Sequence, residues 1–327
     1  MKEKIFAEYL KGRGFSEEKI ILQIKTIKEL EKELQGRVQP WKFDDLNYSS
    51  TQSFVDDLID QSANSLENLL AMARYAKAIQ NDEMFICILP MLDGYEVMEN
   101  LHKKLGDYVG EDLREIVFEG MPLPPLGLSG RDKSLYTYRI LNRMMTIFDE
   151  STCHEIIGYC LRDLPEIYYL DDKVDFYENS HQDIDEFLIL KGKRFLTTLE
   201  NCQKKGELFF GQKITDEVLD FVKQNPEIGQ GVRKGDVIYE TKIPYDTLAY
   251  LAEDDPVRKR YYYCHCPWAR ESLLKKAFVV PSIFCQCSAG FHKRRYEIIF
   301  GQPVQAKVVN SVLKGDLICR FEIHLPD

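Results

Sequence analysis

The chain has 327 residues, 44% of them hydrophobic and 29% charged, with a formal net charge of −10. These figures suit one or two well-buried globular domains and exclude a disordered or low-complexity chain. The longest apolar run, Met84 to Leu92, holds a proline and is half the length a membrane helix requires. The acidic total disfavours a general nucleic-acid or anionic-membrane binder.

The N-terminus enters an amphipathic helix through Phe6, Tyr9 and Leu10, and Gly12 and Gly14 end it. Its faint likeness to a recombinase N-terminal domain (Phe6 to Leu10, then Gly14-Phe-Ser16) is read as an ordinary helical pair. Ser16 is placed to cap a second helix, whose Ile20, Ile24, Ile27 and Leu30 recur at helical spacing. Helical patterns continue at 51–62, 65–80, 94–106, 111–119, 133–149, 152–162, 166–178, 183–204 and 215–224. Thr152-x-x-Glu155 reads as a capping box, and Thr215 as a cap without the box. Met121-Pro-Leu-Pro-Pro-Leu-Gly127 reads as an extended loop at a possible sub-boundary near 121–130.

The texture changes near Pro226. Gly229, Gly231 and Gly235 open a loop that lacks dinucleotide-binding spacing, and Val237 to Ile243 reads as a strand. A short helix at 245–252 and strand-like segments at 260–266 and 278–285 follow, with a helix starting at Pro267 between the strands. Ser288 is placed to cap a helix ending at Gly301, and Val304–Leu313 with Leu317–Leu325 form a hairpin. The expectation is an α+β protein, with a helical domain at 1–225 and a smaller mixed α/β domain at 226–327. From Pro256 onward the chain carries +7, leaving −17 for the remainder.

Five of the nine cysteines, Cys264, Cys266, Cys285, Cys287 and Cys319, fall within 56 residues. Their odd total, the close Cys-x-Cys pairs and the lack of an export signal suggest reduced thiols in a cytoplasmic protein. Arg258, Lys259 and Arg260 precede the first pair and Lys293, Arg294 and Arg295 follow the second. Such cations are expected to lower the thiol pKa values. Two dithiols suit a tetrahedral zinc site, although Cys-x-Cys is closer than the usual zinc-ligand spacing. Redox chemistry and inert core packing remain the other readings. Cys87, Cys153, Cys160 and Cys202 read as core filler. His292 and Glu297, five apart, are poorly aligned for acid–base work. Tyr168, Tyr169, Tyr261 to Tyr263 and Trp268 supply aromatic surface, for an inter-domain wall or a pocket rather than for stacking on bases.

Cys285-Gln-Cys-Ser-Ala-Gly-Phe291, with the ending Ser311-Val-Leu-Lys-Gly-Asp-Leu-Ile-Cys-Arg-Phe-Glu-Ile323, resembles the small-molecule-binding domain named for 4-vinyl reductase and the related aminothiazoline-carboxylate hydrolase-like proteins. The likeness covers about the last seventy residues. It implies a ligand pocket and a zinc held by cysteines from these two places plus a nearby Glu and Cys. Where those two ligands are expected this chain has Val308 and Ser311, so Cys264 and Cys266 are the replacements if they lie alongside. Cys264 to Ser272 resembles a block in uncharacterised bacterial proteins of this length.

The leading expectation is a sensor-like protein holding zinc on Cys264, Cys266, Cys285 and Cys287, with Cys319 a fifth participant. Arg260, Trp268, Arg270, His292, Lys293 and Arg295 would meet an anionic or aromatic small molecule. A hydrolase with a cysteine or metal-bound water as nucleophile, and a partner-binding protein with inert cysteines, are the alternatives.

Overall fold

In a computed structural model the described residues are 1–36, 42–159, 161–162, 164–275 and 277–326. Two compact units divide them: Met1–Tyr95 with Pro124–Asp132, and Glu96–Leu123 with Lys133–Asp327. The change of texture near Pro226 thus lies inside the second unit, where it marks entry into a sheet. The chain returns to the first unit at Pro124, within the proline-set loop. Cys160 lies outside the described residues.

The first unit is helical: α1 (Glu3–Gly12), α2 (Glu17–Gln35), α3 (Tyr48–Asp60), α4 (Leu66–Ile79) and α5 (Asp82–Leu92), with a 3₁₀ turn at Phe43–Asp45. Ser16 caps α2 as expected, accepting from the Lys19 amide. Asn47 and Ser50 close a reciprocal capping box at the start of α3. The apolar run tested as a membrane span is α5, whose Met84, Cys87, Ile88 and Met91 are buried. Phe6, Leu10, Ile27, Phe43, Phe54 and Tyr75 centre the core. The Tyr75 hydroxyl accepts from the Lys2 amide and donates to Asp44, both at 2.6 Å, so this buried phenol is fully paired. Gly127 has φ +94°, and a Cβ there would stand 2.8 Å from Val55, so glycine is required on both counts.

The second unit begins with α6 (Val97–Val109), α7 (Glu111–Phe118), α8 (Gly130–Ile147, its first three residues in the first unit) and α9 (Glu150–Gly158). The α9 cap is Asp149, which accepts from the Thr152 amide; the Thr152 capping box is not used. The helix expected at 166–178 is three short pieces: a 3₁₀ turn at Glu166–Tyr169, α10 (Leu170–Val174) and a π turn at Asp175–Asn179. α11 (Ile184–Lys205) and α12 (Asp216–Gln224) follow, capped by Asp183 and Thr215.

β1 (Val232–Lys234) and β2 (Val237–Thr241) form a hairpin closed at Gly235, which has φ +61°. β1 replaces the loop expected there. Next come α13 (Thr247–Ala252), α14 (Pro256–Tyr263) and α15 (Gln286–Phe300), then β3 (Gln305–Asn310) and β4 (Arg320–His324). The four strands make one antiparallel sheet in the order β1-β2-β4-β3, with Ile238 opposite Ile323 and Glu240 opposite Phe321. The expected C-terminal hairpin is β3–β4, and the α+β class holds.

The strands expected at 260–266 and 278–285 are absent. Asp255 accepts from the Val257 and Arg258 amides and Pro256 takes the first helical position, so the tyrosine run starts as helix α14 instead. Ser282–Cys285 is a 3₁₀ turn, and so is Arg270–Leu274, where an α-helix from Pro267 was expected. α15 begins at Gln286 with Cys285 at its cap position, and Gly301 in the left-handed conformation ends it.

Candidate functional site

The inner faces of β2 and β4 explain what gathers beneath α15. Residues two apart on a strand share a face. β4 puts the buried Cys319, Phe321 and Ile323 on one side. The matching side of β2 carries Ile238, Glu240 and then Lys242, just past the strand, whose amide reaches the Cys319 carbonyl at 3.4 Å. On α15, Ser288, His292 and Tyr296 are spaced four apart and so fall on one stripe. Ser288 meets Lys242, and both His292 and Tyr296 meet Glu240. A polar spine therefore runs through an otherwise apolar layer.

At one end of the spine are the cysteines. Cys264 ends α14, Cys266 follows two residues on, Cys285 caps α15, Cys287 lies in its first turn and Cys319 precedes β4. Cys264, Cys287 and Cys319 are buried, and none of the three is in a disulfide. The fields of the thiols overlap. Burial first, then Cys264 and Cys287, pushes the Cys266 thiol up. Burial, then Cys319, with smaller effects from Cys264 and Cys266, raises Cys285 well above its ordinary range. Burial, with Cys264 adding to it, raises Cys319 to about 12. The two Cys-x-Cys pairs and Cys319 therefore converge, from helix ends and a sheet entry rather than from adjacent strands.

The expected lowering of these pKa values is reversed. Lys242 does pull Cys264, Cys266 and Cys319 down, but less than desolvation lifts them. The basic runs have other duties. Arg258 pairs with Glu253 at 2.8 Å, Lys293 with Glu297 at 3.0 Å and Arg295 with Asp172 at 2.7 Å.

The middle of the spine is a buried ionic cluster. Lys191 of α11 donates to Glu240 and, at 3.2 Å, to the Tyr296 hydroxyl. Tyr296 donates to the same Glu240 oxygen at 2.7 Å, and His292 Nδ1 meets the other oxygen at 2.5 Å. Burial would raise the Glu240 carboxyl, but Lys191, His292 and Arg295 together hold it well below its ordinary value. An ionised carboxylate only accepts, so Nδ1 carries the hydrogen. The imidazole also stacks on Phe321, with centroids 4.4 Å apart. Burial lowers the His292 pKa despite Glu240, which favours the neutral ring with its lone pair at Nε2. Beyond it, Asp172 binds Arg295 and Arg194, and Arg194 also binds Asp175.

The other expected ligand contacts are engaged individually. Arg260 Nε donates to the Pro256 carbonyl at 3.1 Å. Trp268 is buried, with the Lys133 ammonium 5.0 Å from its ring centroid. Arg270 lies 4.1 Å from the ring centroids of both Tyr245 and Tyr261 and donates to the Tyr261 carbonyl. His292 works with Glu240, not with Glu297. Glu240, Lys242, Lys191 and Ser288 were missed as site residues by the sequence reading. Their signal was present: after Ile238, the inward positions of β2 turn to Glu and Lys, charges where a core strand needs apolar side chains. A separate cleft in this unit is lined by His102, Glu115, Phe118, Met121 and Leu123 and holds no cysteine.

Among the described residues, no three His, Cys, Asp or Glu side chains are set as a group that could hold a metal ion. In kind, cysteine thiolates are the ligands zinc prefers, and five cysteines lie within electrostatic range of one another, though not in a ligand arrangement. No protein-family model, curated protein or solved structure matches the chain. No helix among the described residues is long and apolar enough to cross a membrane.

Proposed function

We propose that the second unit is a soft-metal-binding, sensor-like module. Its ligands come from Cys264, Cys266, Cys285 and Cys287, with Cys319 as a fifth participant, and the metal is zinc. The carrying observation is that five cysteines from three separated places in the chain lie within electrostatic range of one another.

Neutral thiols pack as small apolar groups, but ionising several of them together in this region is costly without a compensating cation. A metal removes that cost, because binding displaces the protons and compensates the thiolates together. A zinc closed by four thiolates supplies stability and a fixed arrangement of segments rather than Lewis acidity. Lys242 supplies a positive charge that offsets the negative charge of such a centre. The sensor reading follows from placement: the cysteines tie the end of α14, the start of α15 and the entry to β4 together, so a change at the centre reaches all three.

Elemental analysis of the purified, never-chelated full chain, with thiol titration before and after metal removal, tests this. The expected result is one zinc per chain, with four or five thiols masked until a chelator acts. Absence of metal after reconstitution with zinc, with every cysteine equally reactive in the native and zinc-treated protein, overturns it.

A further inference from the structure

Two groups on the spine are electrostatically unfinished, and both lie beside Phe321 of β4. Lys242 is half-buried, yet among the described residues its ammonium forms no ion pair; it donates to the Ser288 hydroxyl at 2.9 Å and lies 5.8 Å from the Phe321 ring centroid. His292 is held by Glu240 at Nδ1 and by stacking on Phe321, while its buried Nε2 has no hydrogen-bond partner among the described residues. Native proteins seldom bury a polar atom this way without a use for it. The ammonium and the imidazole both lie over Phe321, at 5.8 Å and 4.4 Å from its ring centroid, and Lys242 bonds Ser288, one turn from His292. Ser288 and His292, one helical turn apart, line the same side.

The complementary ligand can be written from these groups. The ammonium and a hydroxyl that can rotate to donate suit a carboxylate. A neutral imidazole whose hydrogen is committed to Glu240 offers only an acceptor at Nε2, so the ligand must present a proton donor beside its carboxylate. An ammonium donor is disfavoured, because it would place a second cation next to Lys242. A hydroxyl meets the requirement. We infer that Lys242, Ser288 and Nε2 of His292 form a binding site for a small hydroxycarboxylate, with the carboxylate on Lys242 and Ser288 and the hydroxyl hydrogen donated to Nε2. Phe321, beneath the imidazole, and Glu240, behind it, fix the ring so that Nε2 keeps one direction. None of these contacts involves a thiol, but Lys242 also acts on Cys264, Cys266 and Cys319, so the two proposals share this one residue.

The experiment is a titration of the full-length protein, labelled with ¹⁵N-histidine, with lactate near neutral pH. The Nε2 resonance of His292 is the readout, identified by its loss in His292→Gln. Propionate, which lacks the hydroxyl, and lactamide, which lacks the charge, are the controls in the unmodified protein. A saturable shift with lactate is expected, with propionate about tenfold weaker, the scale of one hydrogen bond to a buried acceptor, and no shift with lactamide. Lys242→Met is expected to abolish the response, and its His292–Glu240 resonance pattern reports whether that variant is folded. No saturable shift with lactate, or equal binding of lactate and propionate, or equal binding of lactate and lactamide, overturns the proposal. Zinc content is measured on the same sample, so failure here is separable from failure of the metal reading.

Discussion

The two units solve the same problem, burying a core, in opposite ways. Among its described residues the first unit buries no Asp, Glu, Lys or Arg; Gln23 and Thr51 are its only buried polar side chains. Its charges pair at or near the surface, as in Lys28 with Glu3 at 2.6 Å. It has no histidine and a single cysteine, Cys87. The second unit buries Lys133, Asp172, Lys191 and Glu240 and gathers five thiols around one helix start. A fold of this size gains nothing in stability from buried ions that apolar residues would not supply as well. The contrast therefore separates a unit packed on apolar side chains from one that buries an ionic cluster.

The comparison is tested most severely at Glu240. Glu240→Ala leaves Lys191 and His292 without their carboxylate and should destabilise the second unit by about 3–5 kcal/mol in urea unfolding. Leu69→Ala in the first unit is an apolar control, expected to cost about 2–5 kcal/mol through its cavity. The two should differ in kind: replacing Glu240, Lys191 and His292 together by apolar residues should recover much of the first loss. If the triple replacement is no better than Glu240→Ala, the cluster is not an ionic unit.

The pH dependence sharpens the contrast at intermediate size. Burial lowers the His292 pKa in the folded state, so below about pH 6.5 the unfolded chain takes up that proton first. Stability should accordingly fall as the pH drops from about 6.5, down through the folded-state value, and then level off for this group. His265, brought down to about 3 mainly by burial, adds to the slope in the same direction. His292→Asn should remove part of the slope without removing all of it. An unchanged slope would show that the imidazole is solvated in the folded protein. With no histidine in the first unit, the imidazole part of the dependence belongs to the second.

The smallest effect separates ordinary helix design from the spine. Asp183 caps α11 by accepting from the Asp185 and Glu186 amides, and Asp183→Ala should cost about 1 kcal/mol in the same unfolding measurement. Zinc content and lactate binding should be untouched. A change in either would mean that α11, which carries Lys191, is positioned by its cap rather than by packing.

Most helices were legible because apolar spacing and caps act locally; Ser16 and Thr215 cap where the sequence places them. The C-terminal hairpin was legible for the same reason. What failed was the judgement on short apolar or aromatic runs, whose period does not separate strand from helix. Tyr261 to Tyr263 reads as strand, yet Asp255 and Pro256 had already started a helix. At Thr152 the nearby Asp149 competed for the same amide and won. Of the site, the cysteines were visible as a cluster, but their meeting place was not, since it depends on helix ends brought together by the sheet. The spine was hidden because Lys191, Glu240 and His292 are separated by 49 and 52 residues, and no local rule links them.

The alternation in β2 has one more consequence. A slip of β2 by a single residue would turn Tyr239 and Thr241 inward and Glu240 outward. In an all-apolar strand such an error costs mismatched packing. Here it would also strand the Lys191 ammonium and the His292 ring in a dry interior with no counter-charge. The salt cluster thus acts as a proofreading device for strand pairing, since only the native alignment of β2 against β4 gives Lys191 and His292 their carboxylate.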